Sequence, residues 1–305
     1  VPAERQVPAL VHDRPEVIAP GVVRVVAANP GIMTGPGTNT YVLGQGDAES
    51  AVIDPGPDDA RHLEAILEAL PGRLGWILVT HTHPDHSPGA AALAARTGAL
   101  RLGYESRDGF VADRAISDGF ELPLGGMVLR ALHTPGHASN HLCYLADLTG
   151  GARPSRLLFS GDHVMEGSTV VIGPPDGDMA AYLDSLRLVL DCTPAVDVIA
   201  PGHGSVITHP AEAVTAYLQH RADREALVCR ALAAAGAGSL DDLLPMVYGD
   251  VGPERHAVAR RSLWAHLRKL EAEGRVTAGD RDREDTRWSW FAGSGEIPDG
   301  PGEPG

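Results

Sequence analysis

Three histidines and an aspartate fall within six residues, His81-Thr82-His83-Pro84-Asp85-His86, directly after the apolar run Trp76-Ile77-Leu78-Val79. The run predicts a strand, and a loop at its end aims several side chains into one space. Imidazole nitrogens and carboxylate oxygens are the donors that zinc, manganese or iron accept. Four potential ligands at this spacing are far more specific than a lone histidine. Three further segments offer the same chemistry after apolar runs: Leu132-His133-Thr134-Pro135-Gly136-His137, Phe159-Ser160-Gly161-Asp162 and Ile199-Ala200-Pro201-Gly202-His203-Gly204. Each alone reads as a turn. Together they predict a fold in which several strand ends converge on one metal site.

The remaining pattern agrees with mixed α/β layers. Strands are predicted at Val22-Val23-Arg24-Val25-Val26, Tyr41-Val42-Leu43, Ala51-Val52-Ile53, Leu157-Leu158-Phe159 and Val196-Asp197-Val198-Ile199. Helices are predicted over 59–70, with Leu63, Ile66, Leu67 and Leu70 on one face, and over 179–192 behind the cap Asp178. Alternation of this kind places sheets under helices. No apolar run approaches the roughly 20 residues needed to cross a bilayer. The first residues carry no basic stretch followed by an apolar core, so a cytoplasmic location is expected. Cys143, Cys192 and Cys229 form no CxxC pair and are expected to be small buried residues.

Charge locates the division of the chain. The formal net charge of −15 is distributed as −12 over residues 1–220, zero over 221–291 and −3 over 292–305. The expected organisation is therefore a domain over 1–220, a second over 221–291 and a disordered tail over 292–305. The acidic balance disfavours tight, unspecific attachment to a phosphate backbone.

The motifs THTHPDH, TPGH, SGD and PGHG, in that order between residues 80 and 204, resemble the metallo-β-lactamase superfamily, and with them come its αββα sandwich and binuclear metal site. The resemblance implies that His81, His83 and His137 hold one ion, that Asp85, His86 and His203 hold the other, and that Asp162 bridges them. It places Asp54, in Ile53-Asp54-Pro55-Gly56, just behind the ligands. His141 is expected to touch substrate or to support a ligand. His133 and His163 are expected to be packing or hydrogen-bonding neighbours, and His12, His62, His209, His220, His256 and His266 to be surface or capping residues. Aspartate at 162, where β-lactamases of the commonest zinc class carry cysteine, argues against antibiotic hydrolysis. Gly37-Thr38-Asn39-Thr40-Tyr41 and the stretch after Gly204 resemble the β-lactamase-like protein 2 group, which includes an endoribonuclease and, among fungal relatives, thioesterases.

Residues 222–291 read as three helices and two strands, the third helix near 254–273 and the strands at 275–278 and 286–291, similar to a winged helix. The third helix carries a net charge of +2, a modest positive face that fits a packing or dimerisation module better than an extended nucleic-acid stripe. The resulting expectation is a hydrolase with two divalent ions, zinc foremost and manganese or iron as alternatives, using a metal-bridging hydroxide on an ester or thioester. Its partners would be a small molecule or an acyl carrier, with no membrane, and a homo-oligomer is open. The rival readings are cleavage of single-stranded RNA and, from another class, a metal-binding regulator that recognises DNA. The Gly/Pro-rich loop over residues 31–36 either overhangs the site or is an ordinary connection.

Overall fold

The computed structural model describes residues 10–46, 48–148, 155–167 and 169–291. The expected disordered tail over 292–305 lies outside the described residues. The chain divides into two compact units. The first comprises the chain up to Thr134, Asn140–Thr169 and Val189–Ala213; the second comprises Pro135–Ser139, Val170–Leu188 and the chain from Val214 on. No described helix is long and apolar enough to cross a membrane.

The first unit holds two sheets. The larger contains β1 (Glu16–Ala19), β2 (Val22–Val26), β3 (Asn39–Leu43), β4 (Ser50–Ile53), β5 (Leu74–Leu78), β6 (Leu100–Gly103) and β7 (Arg114–Ala115), in sequence order. The smaller contains β8 (Glu121–Leu124), β9 (Met127–His133), β10 (Leu142–Leu148), β11 (Ser155–Gly161) and β12 (Val198–Pro201), ordered β12-β11-β10-β9-β8. Side chains alternate across each strand. On β3, Tyr41 and Leu43 join Ile53, Leu129, Tyr144 and Phe159 in the core between the sheets. Val42, pointing the other way, packs with Val52, Ile77, Leu63, Ile66 and Leu93. Those last three come from α1 (Ala60–Glu68) and α2 (Gly89–Thr97), which cover the outer face of the larger sheet.

Asp59 caps α1 by accepting from the Arg61 and His62 amides, so the helix starts one residue after the expected 59. The helix stops at Glu68, two residues inside the expected 59–70, because its last turn frays before Pro71. β12 begins two residues later than expected and carries Pro201, which an edge strand tolerates because its N–H side needs no partner.

Strand direction sets the position of the site. β4, β5 and β6 run parallel, as do β11 and β12. The carboxyl ends of each parallel set therefore lie side by side, and Asp54, the 81–86 loop, Asp162 and His203 follow those ends.

The second unit contains most of α3 (Met179–Leu190), α4 (Pro210–Ala235) from Val214 on, α5 (Leu240–Val247), a 3₁₀ turn at Pro253–Arg255, α6 (His256–Ala272), and the strands β13 (Ala237–Gly238), β14 (Val276–Ala278) and β15 (Trp288–Trp290). The strands pair in the order β13-β15-β14. Its core gathers Val228, Leu232, Leu243, Leu263, Leu267, Leu270 and Trp288. α4 is continuous through residue 220, so the charge break falls inside a helix. β13 has two residues, too few to show a pattern in sequence. Ser239 and Asp242 form a reciprocal capping box at the start of α5. α6 closes in a Schellman turn: Gly274 N–H donates to Glu271 O, Arg275 N–H donates to Leu270 O, and Gly274 takes φ +72°.

Candidate metal centre

The loop after β5 starts at Thr80, whose amide and hydroxyl donate to the two oxygens of Asp54 at 2.7 and 2.8 Å. Because that hydroxyl hydrogen is committed to Asp54, the Thr80 oxygen accepts from Nδ1–H of His81, 3.0 Å away. Nε2 of His81 then carries the lone pair, and it lies 2.9 Å from Nδ1 of His83. The same logic fixes the other rings. Nδ1 of His86 donates to Asp54 Oδ2 at 2.9 Å, and Nδ1 of His203 donates to the Gly37 carbonyl at 3.2 Å. Nε2 is the lone-pair nitrogen in both, the arrangement in which an outer hydrogen bond prepares an imidazole for a metal.

Ligand atoms of Asp85, His86, Asp162 and His203 all lie within 4.8 Å of one another. Nε2 of His86 stands 3.3 Å from Asp162 Oδ1 and 3.5 Å from Asp85 Oδ2. Nε2 of His203 stands 3.3 Å from Asp162 Oδ1 and 3.2 Å from Asp85 Oδ2. Both nitrogens are buried without a hydrogen bond of good geometry. Two neutral imidazoles and two carboxylates, all turning electron pairs toward one point, make a donor set of charge −2 that fits a divalent cation.

The electrostatics of the ion-free cluster say the same. Burial alone would push the His86 imidazolium down, but Asp85, Asp162 and Asp54 overcome it and hold the ring well above its ordinary value. His203 is likewise pushed up to about 9, against its burial, by Asp162 and Asp85. Burial opposes ionisation of Asp162, yet His203 and His86 hold its carboxyl well below the usual range. Asp85 is lowered against burial in the same way by His86 and His203.

The Pro201–Gly204 segment that carries His203 is laced to β3. The Asn39 side-chain amide donates to Pro201 O at 2.8 Å and Gly204 O at 2.9 Å, its backbone amide donates to Gly202 O at 2.7 Å, and the Tyr41 hydroxyl donates to Pro201 O at 2.7 Å. Arg24, nearly buried on β2, adds a bond from Nη1 to Gly204 O at 3.2 Å and pairs with Glu16. None of these supports is recognisable as chemistry in the sequence, although Asn39 and Tyr41 belong to the Gly37–Tyr41 motif.

His137 lies in the second unit, where its Nδ1 donates to Val171 O at 2.7 Å and leaves the lone pair on Nε2. Asp54 is 1% exposed and is bound by Thr80 and His86. His141 is fully buried. Its Nε2 accepts from the Asp162 amide at 3.2 Å while Nδ1 meets the Thr134 hydroxyl at 3.0 Å, so it props the backbone of Asp162. His133 stacks on Tyr104 with centroids 4.4 Å apart, and His163 is buried. Two histidines expected to be surface or capping residues are fully buried instead. His62 is held between Asp13 and Thr40, and His266 faces Glu225; both are sites that tertiary packing makes polar.

Residues 33–203 match the family model described as the metallo-beta-lactamase superfamily, and residues 239–288 match that of the beta-lactamase associated winged helix domain. Among curated relatives, the chain is 29% identical to a beta-lactamase-like protein 2 homolog of Caenorhabditis elegans over 95% of this chain and 97% of that one. It is 32% identical to an atrochrysone carboxyl ACP thioesterase of Passalora fulva over 86% and 78%. The fold is shared with a beta-lactamase domain protein from Burkholderia ambifaria, at a TM-score of 0.76, 20% identity and coverage of 95% and 96%. It is shared also with a metallo-beta-lactamase family protein from Thermus thermophilus, at 0.72, 20%, and coverage of 90% and 100%.

Proposed function

The chain belongs to the metallo-beta-lactamase superfamily of hydrolases and carries candidate metal-binding residues, and from that premise we propose that it hydrolyses a thioester or ester with two divalent cations, zinc foremost. His81, His83 and His137 would hold one ion, Asp85, His86 and His203 the other, with Asp162 shared between them. When bound, such ions acidify water and polarise the oxygen of the bond under attack.

The chain's own groups do the rest. Asp54 fixes His86 in the tautomer that presents Nε2, and His141 holds the Asp162 amide. Asp85 is the most exposed member of its cluster, with 22% of its side chain accessible against 10% or less for His86, Asp162 and His203. Asp85 therefore orients the attacking water and accepts its proton, since its carboxylate alone has room to exchange that proton with solvent.

The observation that carries the ester or thioester reading is the relative named as an acyl-carrier thioesterase, 32% identical over 86% of this chain. The α6 cations give it further support over RNA. Arg260 is engaged by Asp241 and Glu284, Arg268 by Asp282, and Lys269 by Glu225 and Glu273, which cancels much of a positive face. The test is to offer zinc-loaded protein an acyl-pantetheine thioester and, separately, a single-stranded RNA oligomer, with Asp85→Ala beside each. Thiol release that the substitution abolishes is expected. Intact thioester with RNA cleaved by the wild type alone would overturn the reading in favour of an endoribonuclease.

A further inference from the structure

Thr82 lies between two of the proposed ligands, yet its own side chain points to neither. It is 3% exposed, and its hydroxyl donates to Asp108 Oδ2 at 2.7 Å while accepting from the Asn140 side-chain amide at 2.8 Å. Its carbonyl is held as well, by the Ser87 hydroxyl at 3.1 Å, and that same hydroxyl reaches His83 O at 3.3 Å. One residue thus ties together the loop after β5, the loop after β6 and the segment just before β10.

A second observation singles out the same contact. Asp108 adopts φ +52°, a left-handed conformation that costs free energy in any residue with a Cβ. It sits in a tight turn closed by mutual backbone hydrogen bonds between Arg107 and Phe110. The turn carries the Asp108 carboxylate onto the buried Thr82 hydroxyl, so the strained backbone is spent on one hydrogen bond behind the 81–83 loop.

We propose that Thr82, with Asp108 and Asn140 as its anchors, is a positioning residue that sets the spacing and tilt of the His81 and His83 rings for the ion they share. This rests on the reading of those histidines as ligands. The peptide between them has no freedom left: the side chain is tied at two points and the carbonyl at a third. The rings, whose facing nitrogens stand 2.9 Å apart, are then held as a preformed pair. Outer hydrogen-bonding partners of this kind are worth about 10 to 100-fold in metal affinity.

The experiment compares wild type, Thr82→Val, Thr82→Ser and Asp108→Ala, each stripped and then titrated with cobalt(II), following bound metal and the visible ligand-field spectrum. Valine keeps the shape and removes the hydroxyl, serine restores it, and Asp108→Ala removes the accepting carboxylate from an exposed turn. Expected are two ions per wild-type chain, one of them weakened about 10 to 100-fold with an altered spectrum in Thr82→Val and Asp108→Ala, and recovery in Thr82→Ser. Two ions with wild-type affinity and spectrum in folded Thr82→Val or Asp108→Ala would overturn the positioning role. Fewer than two ions in the wild type would overturn the binuclear reading itself.

Discussion

At Gly202 an added Cβ would stand 2.8 Å from Asp162 Oδ1, 2.8 Å from Cε1 of His86 and 3.0 Å from the Gly161 carbonyl carbon. The absence of a side chain here is what lets Asp162 and His86, from separate strand ends, approach each other. Gly202→Ala is expected to destabilise the fold by about 1–3 kcal/mol through overpacking and to lose the ion assigned to Asp85, His86 and His203. Denaturant unfolding and metal analysis of the purified variant check both; two retained ions at wild-type stability would refute the crowding argument. The residue types of this centre were legible in sequence because they sit in short local motifs at strand ends. Their supports were not. Thr80, Asn39 and Tyr41 matter through hydrogen bonds to partners up to 165 residues away, and a threonine or asparagine in a sequence carries no sign of its future partner.

Helix termini supply the cleanest prediction at the level of elements. Gly274, at φ +72° in the turn that ends α6, has nothing within 4 Å of where a Cβ would go. Gly274→Ala therefore isolates the backbone cost and should lower stability by about 1–2 kcal/mol, read from urea unfolding. An unchanged midpoint would mean that the turn relaxes without cost. Elements with strong periodicity, such as β2, α1, α3 and α6, were legible because the pattern spans several turns or a whole strand. β13 and the ends of β12 were not, since their identity comes from pairing with β15 and β11 rather than from their own residues. The charge break at 220 marked a change of composition, but α4 runs through it, because a helix needs only local hydrogen bonds and is indifferent to which core each half faces.

For the molecule as a whole, histidines divide into two opposed sets, and their balance fixes where the ion-free protein is most stable. His203 is pushed up to about 9 by its carboxylates, and His86 moves the same way. Their stabilisation is complete below the ordinary value of 6.5 and is lost as pH rises above it, for His203 toward 9. His220 is pushed down to about 4 by burial and by Arg221 and Arg224, and burial also lowers His62 and His266. Their contribution is complete above 6.5 and is lost as pH falls below it, for His220 toward 4. Thermal unfolding in chelator should show a maximum near pH 6.5. In saturating zinc the maximum should move to higher pH, because ligation needs the imidazoles deprotonated. A chelated protein whose melting temperature climbs steadily to pH 9 would contradict this. The lacing of β3 to the segment around His203 has a temporal side as well. Asn39 must wait for Pro201 and Gly204, more than 160 residues further along the chain, before its amide has any native partner. Contacts of such long range form late. A growing chain that has passed His86 but not yet produced His203 lacks one of the four side chains of the proposed ion cage, so capture of a metal there would announce that β12 has been made and has docked beside β11.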